Sequence, residues 1–194
     1  VHENSVIKPK SVYGKTKIEA EKIIKRFCKR YKINYCILRY FNIAGSSSSG
    51  KIGLINKSDH LFKNFSREII KKRPILKIYG DNYDTKDGSC IRDFIHVSDI
   101  AEIHYKVLEK INKSNVSKIL NCGYNKGVSV FEVANSFKKQ SRKKVEILVS
   151  EKRKGDLAKI IASNNKLQKF IKWKPKFNNL NTIVKSCINW EKRQ

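Results

Sequence analysis

Tyr13 and Lys17 are the two residues whose types and spacing point most directly to chemistry. They are four positions apart in a segment with helical periodicity, so a helix would place both on one face, one turn apart. A phenol is a weak base near neutrality, and an adjacent ammonium group favours its phenolate form. Such a pair could shuttle a proton. Lysine-rich helices also produce this spacing by chance, so an ordinary solvated pair stays open as the alternative.

The sequence predicts helices and strands that alternate along the chain, and these elements must position the Tyr13–Lys17 pair. A long amphipathic helix is predicted from Ser11 to about Tyr31, and a buried, parallel strand is predicted at residues 35–40. The further predicted helices are at 59–72, 99–110, 129–139, 164–170 and 180–192, and the further strands at 75–79, 91–97, 118–121 and 145–149. Residues 42–58 contain AGSSSSGKIG and are predicted to form a ligand-facing loop. The pattern favours an α/β fold.

The composition is that of a globular chain. With 194 residues, 40% apolar and 31% charged, it is long enough for one domain, or for a large and a small lobe with a substantial core. It has no apolar run of membrane-spanning length, so we expect no membrane partner. Its five cysteines form no CxxC pair, which disfavours a metal site or a disulfide framework and indicates reduced thiols in a cytoplasmic protein.

The charge is strongly positive. Lys and Arg total 43 against 17 Asp and Glu, a formal net charge of +26. This excess puts nucleic acid, anionic membranes and phosphorylated small molecules among the candidate partners. Most of the cations are lysines, and they are spread over nearly every segment, whereas a nucleic-acid module concentrates charge and favours arginine. A lysine bias is the preferred interpretation, and a cationic nucleic-acid-binding module is the alternative.

Five segments in order carry a resemblance to a known family. They are YGKTKIEAE, LRYFNIAGSSSSGKIG, IYGDNYDTKDGSCIRDFIHVSDIA, NCGYNKGVSV and KRKGDLA. In this order and spacing the chain resembles the UDP-glucose 4-epimerases of the extended short-chain dehydrogenase/reductase family. The DGSCIRDFIHVSD stretch is the most specific part, and the resemblance runs from about Pro9 to the C-terminal helices.

The resemblance implies the C-terminal part of a Rossmann-like NAD(P)-binding fold with a smaller α/β substrate-binding lobe. Residues 1–45 would be the last elements of the NAD-binding domain, and residues 46–194 would be mainly the substrate lobe. A segment at about 91–125 would return to the Rossmann-like domain. The family's glycine-rich NAD fingerprint and its catalytic Ser or Thr precede the tyrosine, and neither occurs before Tyr13. We therefore expect the isolated chain to be inactive and its parent protein to be the enzyme.

The resemblance also implies an activity: NAD-dependent epimerisation at C4 of UDP-glucose and UDP-galactose, in galactose metabolism. Tyr13 would be the acid/base, and Lys17 would hold the nicotinamide ribose and favour the phenolate. Phe41 would contact the nicotinamide end, and Asn42 would hydrogen-bond the sugar. The strand end after LRY suits both residues, because α/β sheets bind ligands at the carboxyl ends of their strands.

The resemblance assigns most of the substrate contacts to residues after position 59. Arg92 would grip the UDP diphosphate, a role that suits a guanidinium. The other implied substrate residues are His60, Leu61, Lys77, Ile78, Tyr79, Lys152 and Asp156. Lys152 stands where the family often has arginine, which keeps the charge and loses the fork geometry.

The family also implies a homodimer of the complete protein. The Ser11–Tyr31 helix is one candidate interface, and ordinary core packing of its apolar stripe is the equal alternative. Within the superfamily, a pentose 4-epimerase or a 4,6-dehydratase is the rival activity. Nucleic-acid and membrane partners are not expected.

Overall fold

The computed structural model describes residues 1–9, 11–55 and 60–194. Its helices are α1 (Val12–Arg30), α2 (Leu61–Ile70), α3 (Val97–Lys113), α4 (Val130–Ser141), α5 (Asn165–Ile171) and α6 (Leu180–Glu191). Its strands are β1 (Cys36–Tyr40), β2 (Asn42–Ala44), β3 (Ile75–Tyr79), β4 (Ile91–Arg92), β5 (Phe94–His96), β6 (Lys118–Cys122), β7 (Val128–Ser129), β8 (Glu146–Ser150) and β9 (Lys159–Ile160). Each predicted helix has a counterpart. Asp59, the predicted first residue of the second helix, lies outside the described residues.

Helix α1 lies on the surface and is held mainly by polar contacts. Ser11 caps it by accepting a hydrogen bond from the Gly14 amide at 3.1 Å. Glu21 accepts two hydrogen bonds of 2.7 Å from the Arg39 guanidinium, which ties the helix to β1. That guanidinium lowers the pKa of Glu21. None of the α1 side chains is fully buried.

The strands pair mostly in parallel. β1 pairs with β6, β2 with β5, and β3 with β8, all in parallel register. β4 lies between β7, which is antiparallel to it, and β9, which is parallel. Parallel pairing requires long crossovers, and helices α2, α3 and α4 lie within them. This alternation confirms the predicted α/β class.

The main core is where α2, α4 and α6 pack together against the strands. Phe62 packs edge-on against Phe94 and Phe137, with ring centroids 4.9 and 5.7 Å apart, and Phe65 meets Phe137 at 5.6 Å. Edge-to-face geometry of this kind is favoured between aromatic rings. These rings are part of the buried core.

The prediction of one strand over residues 91–97 is wrong, because the chain changes sheets at Asp93. This carboxylate is fully buried and accepts hydrogen bonds from the amides of Tyr124, Asn125 and Ala162 at 2.8, 2.9 and 3.2 Å. Burial raises the pKa of Asp93, and the amide donors counter that effect. A side chain at Gly123 would start 2.6 Å from the carboxylate, so only glycine permits this approach. β4 and β5 therefore belong to different sheets.

Two further differences concern short elements. β2 lies within the predicted loop at 42–58, and β7 and β9 were not predicted at all. In the part of the chain that the structure describes, no helix combines the length and the apolar character needed to cross a membrane.

Candidate functional site

A cavity of about 240 Å³ opens where β2, α2, β3 and β4 meet residues 151–157. Seven of the predicted site residues line it: Asn42, His60, Leu61, Lys77, Tyr79, Arg92 and Asp156. The other lining residues are Asn64, Phe65, Cys90, Phe94, Val130 and Arg153. The fold thus gathers residues that are more than a hundred positions apart in sequence.

Strand β3 divides its predicted residues between two faces. Lys77 and Tyr79 line the cavity, whereas the Ile78 side chain is 0% exposed in the core, next to the equally buried Leu76. Successive side chains of a strand point to opposite faces, so a run of three cannot share one cavity. The structure therefore does not bring the Ile78 side chain to the site.

Arg92 and Asp156 face each other across the cavity wall. The Arg92 Nη2 atom lies 3.7 Å from Asp156 Oδ1, and Arg92 Nη1 donates to the carbonyl of Ile91 at 2.9 Å. The Arg92 side chain is only 13% exposed, while that of Asp156 is 39% exposed. Arg92 is therefore held in place, and at 3.7 Å the ion pair leaves guanidinium donors for an anionic ligand.

Two cationic side chains lie close to the ring of Tyr79 in the cavity. The Arg153 guanidinium carbon lies 4.0 Å from the centroid of the Tyr79 ring, and Lys77 Nζ lies 5.2 Å from it. Both distances are within the range of cation–π attraction. Three cations and one carboxylate, Asp156, line the cavity, so its electrostatic potential is positive and favours an anion. The Tyr79 ring adds a surface on which a flat ring can pack.

His60 is the residue immediately before α2, and its ring lies at the cavity edge. Among the described residues its Nδ1 atom has no hydrogen-bond partner. Burial lowers the pKa of His60, and the Ile43 backbone partly opposes this shift. A neutral imidazole is therefore favoured here in the absence of ligand.

Tyr13 and Lys17 lie together, but not in this cavity. Lys17 Nζ is 5.1 Å from the centroid of the Tyr13 ring, and Tyr13 is 71% exposed. The pair occupies the first two turns of α1, on the open surface. Phe41, half-buried between β1 and β2, also does not line the cavity; its amide donates to the carbonyl of Cys122 at 3.2 Å.

Lys152 is directed away from the cavity. Its Nζ donates to the carbonyl of Asn82 at 2.7 Å and lies 4.4 Å from the centroid of the Tyr83 ring. The adjacent Arg153 takes the cavity position instead. The expectation that Lys152 itself faces the ligand is therefore not supported by its orientation.

A second cavity, of about 490 Å³, lies on the other side of His60. Its lining is mainly apolar and includes Phe62 and Trp190. Lys63 and Glu191 form a buried ion pair of 2.7 Å at its wall. Since its one buried cation is already neutralised, this cavity suits an anion less well than the first.

The family assignment follows from residues 1–123, which match the NAD dependent epimerase/dehydratase family. This chain belongs to that family. The match covers more than half of the chain, including the Tyr13–Lys17 pair, Asn42, His60 and Arg92.

Named relatives agree with the family assignment. The chain is 37% identical over 193 residues to a UDP-glucose 4-epimerase of Halalkalibacterium halodurans, and 34% identical over 193 residues to one of Azospirillum brasilense. Each alignment covers 99% of this chain, and 58% and 56% of the respective relative. The chain thus spans somewhat more than half the length of these epimerases.

A solved structure supports the same grouping. The UDP-glucose 4-epimerase of Bifidobacterium longum, in complex with NAD+ and UDP, is 30% identical, with a TM-score of 0.85. That alignment covers 94% of this chain and 55% of the other. Together with the family match, this similarity confirms the predicted Rossmann-like fold class of this epimerase/dehydratase family member.

Sequence reasoning missed Arg153 in this epimerase-family cavity. It sits within KRKGD, where three neighbouring cations look equivalent in sequence. The second cation, not the first, stacks on Tyr79. A signal existed, because arginine favours stacking on aromatic rings and bidentate anion contacts more than lysine does.

Proposed function

We propose that the protein that carries this chain is an NAD-dependent UDP-sugar 4-epimerase that interconverts UDP-glucose and UDP-galactose. The observation that supports it best is the cavity between Arg92, Arg153, Tyr79 and Asp156. It combines guanidinium groups for a diphosphate, an aromatic face for a base and a carboxylate for ribose hydroxyls. The names of the relatives point to UDP-glucose and to C4 epimerisation.

Each cavity residue takes one part of the nucleotide sugar in this proposal. Arg92 and Arg153 bind the two phosphates, and the uracil ring packs beside Lys77 and Tyr79. Asp156 accepts hydrogen bonds from the uridine ribose hydroxyls. The remaining contacts, to the sugar and its link to the diphosphate, come from Asn42, His60 and Leu61. With its pKa lowered by burial, His60 is neutral at pH 7 in the free protein and can donate or accept a hydrogen bond there.

The residues on α1 fit a nicotinamide cofactor. Lys17 supplies an ammonium 5.1 Å from the ring centroid of Tyr13, which supplies a hydroxyl, and both are exposed to a ligand. Lys17 would donate hydrogen bonds to the hydroxyls of the nicotinamide ribose, and Phe41 would contact the nicotinamide end. NAD, when bound, supplies the chemistry of accepting a hydride from C4 of the sugar and returning it.

The proton transfer belongs to Tyr13. Its Oη atom takes the proton of the sugar 4-hydroxyl as C4 is oxidised, and gives a proton back to the oxygen at C4 as that carbon is reduced. The Lys17 ammonium stabilises by its charge the phenolate that accepts this proton and that forms again when the proton is returned. No net proton is gained or lost over a complete turnover, as an isomerisation requires.

We also propose the assignment of residues to two domains that the resemblance implies. Residues 1–45 and about 91–125 serve the NAD-binding domain, and the rest of 46–194 serves mainly the substrate lobe. The complete protein is a homodimer in this proposal, with apolar residues of α1 as one contact: Ile23 and Phe27 are each more than half exposed. The five free cysteines support a cytoplasmic location.

The activity assay that tests this proposal uses the purified protein that carries this chain, supplied with NAD. UDP-galactose is expected to be converted to UDP-glucose until the two reach equilibrium. UDP-xylose serves as the comparison substrate, since faster turnover of UDP-xylose would favour the pentose 4-epimerase rival. Loss of the C6 hydroxyl with formation of a 4-keto-6-deoxy sugar would favour a dehydratase. Absence of any product from both substrates would contradict the proposed function.

A further inference from the structure

Residues 151–157, which we call the strap, form all but the last residue of the connection from β8 to β9 and carry both Arg153 and Asp156 to the cavity. All seven are exposed, and Gly155 has a positive φ of 90° with no atom within 4 Å of the position that a Cβ would occupy. An exposed connection of this kind has few packing contacts of its own. Something else must hold Arg153 at the cavity.

Lys152 makes the contacts that can hold the strap. Its ammonium donates to the carbonyl of Asn82 at 2.7 Å and lies 4.4 Å from the centroid of the Tyr83 ring. Its stem crosses Gly80, where an added Cβ would lie 2.6 Å from both Lys152 Cγ and Tyr83 Cε2. A side chain at Gly80 would therefore push Lys152 away from its partners.

The place where the strap is attached is next to the base-binding end of the cavity. Gly80 follows Tyr79 directly, and its amide donates to the carbonyl of Ser150, the last residue of β8, at 2.7 Å. With Lys152 fixed over Gly80 and Tyr83, the next residue, Arg153, lies across the Tyr79 ring at 4.0 Å. The far end of the strap is held separately, because Asp156 faces Arg92 at 3.7 Å.

We propose that Lys152 is a positioning residue: it does not touch the ligand, and it anchors the strap to the turn at residues 80–83 so that Arg153 is directed at the diphosphate. This role rests on the proposed function, since it presumes a diphosphate in the cavity. A pre-positioned guanidinium loses less conformational freedom on binding than one on a free strap. Loss of the anchor therefore weakens binding without removing any ligand contact.

The test measures UDP affinity by titration calorimetry in the protein that carries this chain. Lys152→Ala is expected to raise the Kd for UDP about tenfold, because the anchor is lost. Lys152→Arg is expected to restore it to within about twofold, since arginine can also donate to the Asn82 carbonyl and stack on Tyr83. Lys154→Ala is the matched control: it removes the same charge from the same strap at an exposed position, and it should change Kd by less than about twofold.

A double-variant comparison separates anchoring from direct contact. If Lys152 acts through Arg153, then adding Lys152→Ala to Arg153→Ala is expected to weaken UDP binding no further. In turnover of UDP-galactose, Lys152→Ala is expected to raise KM and leave kcat unchanged. Circular dichroism of each variant checks that the fold is intact.

Each other outcome overturns a defined statement. Additive losses of UDP affinity in the double variant would mean that Lys152 contacts the ligand directly. Equal losses of affinity for Lys152→Ala and Lys154→Ala would mean that Lys152 contributes only its positive charge. Unchanged affinity in Lys152→Ala, with normal UDP binding by the unsubstituted protein, would end the anchoring proposal alone. No UDP binding by the unsubstituted protein would contradict the proposed function, and the anchoring role would fall with it.

Discussion

Replacing Tyr13 by Phe is expected to lower kcat for UDP-galactose epimerisation about a thousandfold, the order of magnitude of a lost general acid/base. The change deletes only the Oη atom that we propose to carry the proton, and the ring stays beside Lys17. Tyr13 is 71% exposed and lines neither cavity, so UDP affinity and stability should be unchanged. Steady-state kinetics and UDP titration measure the two quantities separately.

Tyr31→Phe supplies the matched control for this experiment. Tyr31 is the C-cap of the same helix and is 55% exposed, but it lies about five turns from Tyr13 at the other end of α1. Its substitution should leave kcat within about twofold of the original value. If Tyr13→Phe behaved like Tyr31→Phe, Tyr13 would have no part in the proton transfer.

Replacing Arg92 by Ala is expected to weaken UDP binding about a hundredfold, the size expected for losing charge-assisted hydrogen bonds in a partly enclosed site. The side chain is 13% exposed and its Nη1 donates to the Ile91 carbonyl, so under the proposed function it would meet the diphosphate already oriented. Its removal also leaves the Asp156 carboxylate without its cation, next to an anionic ligand. KM for UDP-galactose should rise accordingly.

Two further variants refine the interpretation of Arg92. Arg92→Lys keeps the charge but loses the forked donors, so an intermediate loss is expected. Arg73→Ala removes one positive charge from an exposed position between α2 and β3, outside the cavity. A similar loss in Arg73→Ala and Arg92→Ala would mean that the +26 charge attracts UDP generally, with no specific site.

Local sequence patterns predicted the larger elements well. Each of the six helices in the described part of the chain was predicted from local patterns of periodicity, caps and breakers, and Tyr13 with Lys17 on one face of the first helix follows from their spacing alone. The same reasoning applied to β3 separates Ile78 from Lys77 and Tyr79, because a strand has a period of two. The three residues were grouped by resemblance, and the strand geometry divides them.

The remaining differences depend on contacts between distant segments. The break between β4 and β5 occurs at Asp93, whose buried carboxylate accepts hydrogen bonds from the backbone amides at positions 124, 125 and 162. The charged Asp93 in the middle of the predicted strand was a local sign of it. Whether Lys152 or Arg153 faces the cavity depends on the Asn82 carbonyl and on Gly80, about seventy positions away. Periodicity carries no information about such pairings.

A crystal structure of the protein with UDP tests the central claim most directly. The expected result is uracil beside Tyr79, a ribose hydroxyl on Asp156, and the diphosphate between Arg92 and Arg153, with Lys152 still on the Asn82 carbonyl. UDP bound anywhere else on the molecule, with this cavity free of nucleotide, would contradict the account.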